Sequence, residues 1–455
     1  MEVKDRGEDF RKLYKQKEER QVMELIEWIL KDENLEAAIK AVKGNKGAAG
    51  IDKMPVEELD GYFAEHGEEI KAQIRAKQYK PQPVRRVYIP KANGKQRPLG
   101  IPTVVDRVIQ QATAQVLSLG YERYFSENSY GFRPGRDCHG AIAKALEYLN
   151  EGNEWVIDLD IEKYFDTVNH DKLVSILREH INDAPTLHLI RSFLKAGVME
   201  DGLTSPTTEG VPQGGPLSPI LSNVYLDKLD KELEARGLHF VRYADDCDIF
   251  VKSEMAANRV MASVTSWLER KLWLKVSATK TKVVRPAKSK FLGFTFWKNV
   301  SGWKARPTND RKAKLKQKTR EILCRKRAAA KPIEETFVSL NQLMRGWINY
   351  FSIGSMKEFL KEYGSWMRHK VRTVILKQWK KPRTIYKNLQ KLNRLGRCGL
   401  SDEDIYKVAN SRLGLYRRCA GNVMSYALSP QILGTKTKDR PGLVDPLAYY
   451  LARRT

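Results

Sequence analysis

Residues 239–251 read HFVRYADDCDIFV. Apolar side chains bracket an acidic centre, Asp245-Asp246, and a hairpin that turns at that centre accounts for the pattern. Residues 155–161, WVIDLDI, read as a second short apolar strand, with Asp158 and Asp160 recurring on its alternation. A carboxylate inside an otherwise apolar strand is expensive to desolvate unless something neutralises it. A divalent cation does so. Mg2+ takes oxygen ligands, uses one or two protein carboxylates, and fills its other positions with water and substrate phosphates. Two such ions ~3.5–4 Å apart can activate an attacking hydroxyl and steady a leaving pyrophosphate. The bland alternative is a pair of edge strands whose acids face water. One such strand reads that way; two, one of them carrying an adjacent Asp doublet, favour a metal site.

Around these strands the chain is long and basic. Its 455 residues exceed one ordinary domain, so two or three are expected. The net charge is +26, and its distribution says more than its total. Residues 301–455 hold 35 Lys+Arg against 11 Asp+Glu, so nearly the whole excess sits in the last third. A near-neutral body followed by a basic part points to a polyanionic partner. In the body, residues 71–100 are an exception, with nine Lys+Arg and no acid. A single basic run is usually a solvated helix face. Two separate ones with interleaved aromatics (Trp347, Tyr350, Phe351, Trp366, Trp379) favour RNA or DNA. No stretch approaches the ~20 apolar residues of a membrane-spanning helix, and the N-terminus MEVKDRGEDF lacks the apolar run of a secretory signal. Five scattered cysteines (Cys138, Cys247, Cys324, Cys398, Cys419) form no C-x-x-C pair, which argues against disulfide frameworks and structural zinc. A cytoplasmic protein is expected.

Three-to-four spacing predicts helices over 8–44, over 106–125, 138–150, 170–179, 217–237 and 254–272, and through most of the chain after 308. Strands are expected at 84–90, 155–161, 282–286 and 291–298, with a turn over KANGKQR (91–97). The fold class is therefore α+β with an all-α C-terminal part.

Tyr243-Ala244-Asp245-Asp246 resembles the Y-x-D-D hairpin of reverse transcriptases, and DLDIEKYFD (158–166) resembles their first metal-binding motif. The resemblance implies right-hand fingers and palm with an antiparallel palm sheet, then a helical thumb. It implies Asp160, Asp245 and Asp246 as the catalytic, metal-holding acids, with two Mg2+ ions or Mn2+ in their place. Asp160 is the match because an aromatic, Phe165, follows five positions later; the sequence alone leaves the reverse assignment to Asp158 open. YIPKANGKQRPLGIPTVVDRVIQQA (88–112) resembles the fingers segment over the incoming dNTP, with Lys91 and Arg97 as triphosphate clamps or, in the plain reading, a solvated hairpin. SYGFRPGRDCHGAI (129–142) resembles the next block, in which Arg133 would hold template or fingers structure. GVPQGGPLSPILSN (210–223) is the most specific match; its glycines would let backbone approach a nucleotide, with Gln213 lining the pocket. Phe165 reads as a steric gate against a 2′-hydroxyl or as a plain core aromatic. Lys280, in LKVSATKTKVV (274–284), matches a lysine that would protonate the leaving pyrophosphate. KFLGFTF (290–296) resembles the primer-gripping hairpin before the thumb.

NKGAAGID (45–52) and the YGFRPGR block look like group II intron reverse transcriptases. LNQLMRGWINYF (340–351), SWMRHKVRTVILKQWKKPRT (365–384) and ANSRLG (409–414) resemble their thumb or maturase region. The implied organisation is an N-terminal extension at 1–80, fingers and palm at 81–300, thumb/maturase at 301–425 and a basic tail at 426–455. The implied partners are group II intron RNA, an RNA template with DNA primer, dNTPs and a DNA target at the nucleoid. The implied roles are RNA-directed DNA polymerase and splicing maturase supporting intron homing. Beyond residue 300 only His369 and no cysteine pair appear, so no H-N-H endonuclease is expected. A retron-like or diversity-generating enzyme and a splicing-only cofactor are the alternatives. For Trp347, Tyr350 and Trp379 the thumb core is the competing place.

Overall fold

The computed structural model describes residues 24–90, 94, 96–396, 398–436 and 441–454. Lys91 and the start of the stretch expected as helix over 8–44 lie outside the described residues. The chain divides into two compact units between Arg285 and Pro286.

Ten described strands fall into three sheets. In the first unit β1 (Val84–Pro90), β2 (Gln96–Ile101), β4 (Val198–Glu200) and β5 (Leu203–Ser205) form a sheet of order β2-β1-β4-β5. The other sheet of this unit, order β6-β7-β3-β8, is antiparallel throughout. It comprises β3 (Trp155–Asp160), β6 (His239–Tyr243), β7 (Asp246–Val251) and β8 (Lys282–Val284). This is the antiparallel palm sheet that the resemblance implies. Residues Cys247 to Val251 are buried without alternation, so both faces of β7 are covered. The helices Cys138–Asn150, Ser218–Ala235 and Glu254–Trp267 pack against this sheet.

Local chemistry sets the helix ends. Thr103 caps the Val104–Tyr121 helix by accepting from Asp106 N at 3.1 Å, and Asp137 caps Cys138–Asn150 through Gly140 N at 2.8 Å. The helical stretch expected to run to 44 is broken into Leu25–Ile29 and Asp32–Gly44. At the break Asn34 Nδ2 takes up the Ile29 carbonyl at 2.9 Å, and Asp32 and Glu33 sit at the new N-terminus, where the helix dipole favours acids. The strands β4 and β5 were not anticipated, because three residues each show no usable alternation. Their link, Asp201-Gly202, has φ of +50° and +82°, the positive pair a two-residue hairpin turn needs.

The second unit opens with an antiparallel hairpin, β9 (Phe294–Asn299) and β10 (Gly302–Pro307), and is helical thereafter among the described residues. The sequence reading covered β9 and passed over β10. The helices Ile333–Phe351 and Lys357–Trp379 supply much of its core, through Leu340 and Met344 on one and Tyr363, Met367 and Val371 on the other. That i, i+4 spacing puts each set on one stripe. The stretch after 425, expected as a tail, has its described residues folded into this core: Leu433, Leu443 and Tyr450 are buried, and Asn341 binds the backbone of Gly442 and Val444. Arg368 pairs with Asp445 at 2.7 Å.

Ile157 is fully buried at the centre of β3, between β7 and β8. Ile157→Ala is expected to cost about 2–5 kcal/mol, read as a lower denaturant midpoint at unchanged slope.

Candidate active site

The register of β3 on β7 sets Asp160 directly opposite Asp246 and Asp158 opposite Asp248. Because Tyr243 pairs with Asp246 across β6 and β7, Ala244 and Asp245 form the two-residue turn. Asp160, Asp245 and Asp246 therefore gather at one end of the palm sheet. Asp158 sits one pair further in, beside the buried Asp248. Of the two acids between which the sequence left the assignment open, it is Asp160 that the register pairs with Asp246.

The loop before β8 closes on Asp160. Ser277 N donates to the Asp160 carbonyl at 2.9 Å, and Asp160 N donates to Thr281 Oγ1 at 3.2 Å. Lys280 Nζ lies 2.8 and 3.1 Å from the two carboxylate oxygens of Asp160. Lys280 was anticipated; Ser277 and Thr281 were not, since nothing in SATKT marks a hydroxyl that will meet a strand 120 residues away. Asp246 is pushed up to about 6, first by burial and then by the charges of Asp245 and Asp160, with Lys280 opposing. Asp246 is also open to solvent over part of its surface. The donor set is oxygen only, partly exposed and short of positive charge, which fits a hard divalent cation. Among the described residues no three His, Cys, Asp or Glu side chains already stand close enough to enclose an ion unaided.

A second group of residues surrounds this end of the sheet. Phe165 lies on the short helix Tyr164–Thr167 that follows β3, half-buried and edge-on to Tyr164 at 5.2 Å and 72°. It packs against the core cluster and stays partly exposed. Its carbonyl accepts from Val211 N at 2.7 Å, which ties the Phe165 segment to the GVPQGG loop. That loop is also gripped by His170, whose Nε2 donates to the Gly210 carbonyl at 2.7 Å. Burial pulls the His170 imidazole below its usual pKa, which keeps it neutral in this role. The sequence reading missed His170, because a histidine on a short amphipathic helix carries no distinguishing pattern.

Gln213 meets β2: its Oε1 accepts from Arg97 Nε at 2.9 Å and its carbonyl from Gly100 N at 2.7 Å. The glycines of PQGG were read as permitting close approach to a nucleotide. The approach they allow here is within the protein. A Cβ on Gly214 would lie 2.5 Å from the Gly100 carbonyl oxygen, and one on Gly215 would lie 2.2 Å from Gln110 Oε1. Arg133 is buried and bound to Glu122 and to the Ser126 and Ser129 carbonyls, a structural role within its own block. Lys91 lies outside the described residues.

Residues 89–296 match the family of reverse transcriptases (RNA-dependent DNA polymerases), and residues 312–393 match the group II intron maturase-specific domain. Over 302 residues the chain is 34% identical to Protein YkfC of Escherichia coli (strain K12), covering 58% of this chain and 79% of that protein. It is 39% identical over 208 residues to the group II intron-encoded protein LtrA of Lactococcus lactis subsp. cremoris, covering 46% of this chain and 34% of LtrA. It is 34% identical over 250 residues to the putative COX1/OXI3 intron 2 protein of Saccharomyces cerevisiae, covering 54% and 27%.

The chain belongs to the group II intron-encoded reverse transcriptases. It spans most of YkfC and about a third of LtrA. This reverse transcriptase is an RNA-directed DNA polymerase joined to a maturase-specific domain. Among its described residues no helix is long and apolar enough to cross a membrane.

The raised carboxyl at Asp246 has a measurable consequence for the metal-free reverse transcriptase. The folded group holds its proton up to about 6, above its ordinary 3.8, so folding is favoured most at low pH and that contribution fades as pH rises through about 6. Asp246→Asn removes the ionisation. In chelator the variant is expected to melt above the parent at pH 7–8 and to lose that advantage below pH ~4, as thermal unfolding across a pH series will record.

Proposed function

We propose that this reverse transcriptase extends a DNA primer on an RNA template at the end of the palm sheet, with Asp160, Asp245 and Asp246 as the acids that hold two Mg2+ ions. Mn2+ would substitute. The observation that carries the reading is the register that sets Asp160 opposite Asp246, beside the turn bearing Asp245, inside the matched reverse transcriptase region. When bound, such ions lower the pKa of the primer 3′-hydroxyl and neutralise the charge developing on the phosphates.

The chain's own residues do the rest. Arg97, exposed on β2, offers a guanidinium to the triphosphate of the incoming dNTP, and Lys91 would add a second positive charge. Gln213, held by Arg97 and by Gly100, lines the pocket beside the new pair. Phe165 closes the sugar side and disfavours a 2′-hydroxyl. Lys280 carries its proton at Nζ beside Asp160 and delivers it to the leaving pyrophosphate.

The second part of the reading concerns RNA. The last 155 residues carry a surplus of 24 positive charges, and residues 312–393 match the maturase-specific domain. Trp347 and Trp379 pack against that unit's core, and Tyr350 spends its hydroxyl on the Leu292 carbonyl at 2.9 Å. The exposed Lys and Arg side chains are accordingly the contacts to phosphate. They would bind the group II intron RNA, promote its splicing, and bring the polymerase to a DNA target at the nucleoid for cDNA synthesis during homing.

Primer extension on poly(rA)/oligo(dT) tests the site. Asp245→Ala and Asp246→Ala are each expected to abolish Mg2+-dependent cDNA synthesis while intron RNA binding persists; full activity in either removes the assignment. Phe165→Val is expected to raise incorporation of ribonucleotides relative to deoxyribonucleotides by about tenfold or more, measured by competing the two substrates. Raising salt from 50 to 200 mM is expected to weaken intron binding by several orders of magnitude, ~10³ if six phosphates are neutralised. Elongation on an already bound primer–template should change far less.

A further inference from the structure

The turn that presents Asp245 contains a backbone conformation that L-residues avoid. Ala244 has φ of +59° without being glycine, a left-handed geometry that costs roughly 1–2 kcal/mol. Such a residue persists where its surroundings over-determine it. Two neighbours do this.

The first is Arg242, whose side chain is fully buried. Its Nε and Nη2 donate to the two carboxylate oxygens of Asp230 at 2.7 and 2.5 Å. Its Nη1 donates to the Ala244 carbonyl at 2.9 Å and to Asn223 Oδ1 at 3.1 Å. The second is Gly131. Its carbonyl accepts from Asn223 Nδ2 at 2.8 Å, and a Cβ built on it would lie 2.3 Å from Ala244 N. Asp230 and Asn223 both belong to the Ser218–Ala235 helix, so one rigid element braces the arrangement.

A buried ion pair is weak evidence for stability, because desolvation offsets the attraction. The pair here has a different use. We propose that Arg242, braced by Asp230, is a positioning residue: it fixes the peptide joining Ala244 to Asp245 and thereby sets where the Asp245 and Asp246 carboxylates stand relative to Asp160. The inference rests on the metal-holding role proposed above for those acids. It requires a guanidinium. A lysine would satisfy Asp230 as a point charge, but a single ammonium does not span the carboxylate and the Ala244 carbonyl together.

Three variants of the full chain test this, by single-turnover primer extension with a Mg2+ titration and a melting curve for each. Arg242→Lys keeps the charge and loses the fork. Arg242→Met/Asp230→Leu replaces the ion pair by apolar side chains of similar volume, a change that cores tolerate. Gly131→Ala pushes on the preceding peptide, Tyr243–Ala244, at the other end of the same residue and leaves the pair untouched. A shift of this turn by ~1 Å lowers kcat by about a hundredfold. We expect a loss of that order in all three, with a higher Mg2+ concentration for half-maximal rate and little change in the dNTP KM or primer–template affinity. A role confined to fold stability would move the melting temperature and leave the Mg2+ dependence alone. If any variant that melts like the parent also extends primer at the parent rate with the parent Mg2+ dependence, the proposal is overturned. Should the Arg242 variants fail to fold, Gly131→Ala decides by the same criterion. Asp245→Ala is run in parallel: if it is active, the site reading falls and this inference with it. An active Arg242→Met/Asp230→Leu beside an inactive Asp245→Ala removes the positioning role alone.

Discussion

Like charges held together at the end of an apolar sheet are the constraint on which the rest of the first unit depends. Two unit charges 4 Å apart at an effective dielectric near 20 repel by about 4 kcal/mol. Three carboxylates brought near one another will therefore disperse, protonate or recruit cations unless rigid backbone holds them. The antiparallel pairing of β3 with β7 supplies that rigidity, with Val156, Ile157 and Ile249 sealing the strands behind the acids. The chemistry responds where it can. Asp246 holds its proton unusually tightly, and Lys280 comes within 2.8 Å of Asp160. Both are signatures of a site that wants positive charge.

Around that end, the GVPQGG loop is a hub of contacts within the protein. Val211 meets the carbonyl of Phe165, Gly210 meets His170, Gln213 meets Gly100 and Arg97, and Gly215 presses on Gln110. Segments far apart in the chain are thereby locked to one another through backbone and side-chain hydrogen bonds. Such contacts tolerate almost no side chain, which explains the density of glycine here. Phe165 and Gln213 owe their relative placement to this loop, and any displacement of it would move both together.

The second unit solves a different problem. Its surplus of positive charge sits on helices whose apolar stripes, Leu340 and Met344 against Tyr363, Met367 and Val371, are buried inward. Aromatics that look available for base stacking are mostly engaged in packing, as with Trp347 against Phe351 at 4.7 Å. The consequence is a division within each helix: the inner stripe makes the fold, and the outer Lys and Arg stay exposed. Even the stretch near 441–454 follows this rule, burying Leu443 and Tyr450 while Arg453 and Arg454 stay outside.

Much of this was legible in the sequence. Acids set between apolar runs single out Asp158, Asp160, Asp245 and Asp246, since a carboxylate within an apolar strand is costly to desolvate unless something neutralises it; the narrower set of three comes from the family resemblance. The charge split between the body and the last third is a property of composition and needs no fold. Strong periodicity gives the long helices and the hairpin centred on the Asp doublet. What sequence does not carry is pairing at a distance. The register that sets Asp160 opposite Asp246, the close backbone approach of PQGG to β2, His170 under Gly210, and the grip of Arg242 on Ala244 each depend on which atoms meet after the chain has closed. β4, β5 and β10 were missed because short strands are stabilised by their neighbours and hardly at all by their own pattern. Residue types and the placement of charge are local properties, and they can be read along the chain. Which of those residues stand together is set by hydrogen-bond register and packing between segments far apart in the chain, and that emerges with the fold.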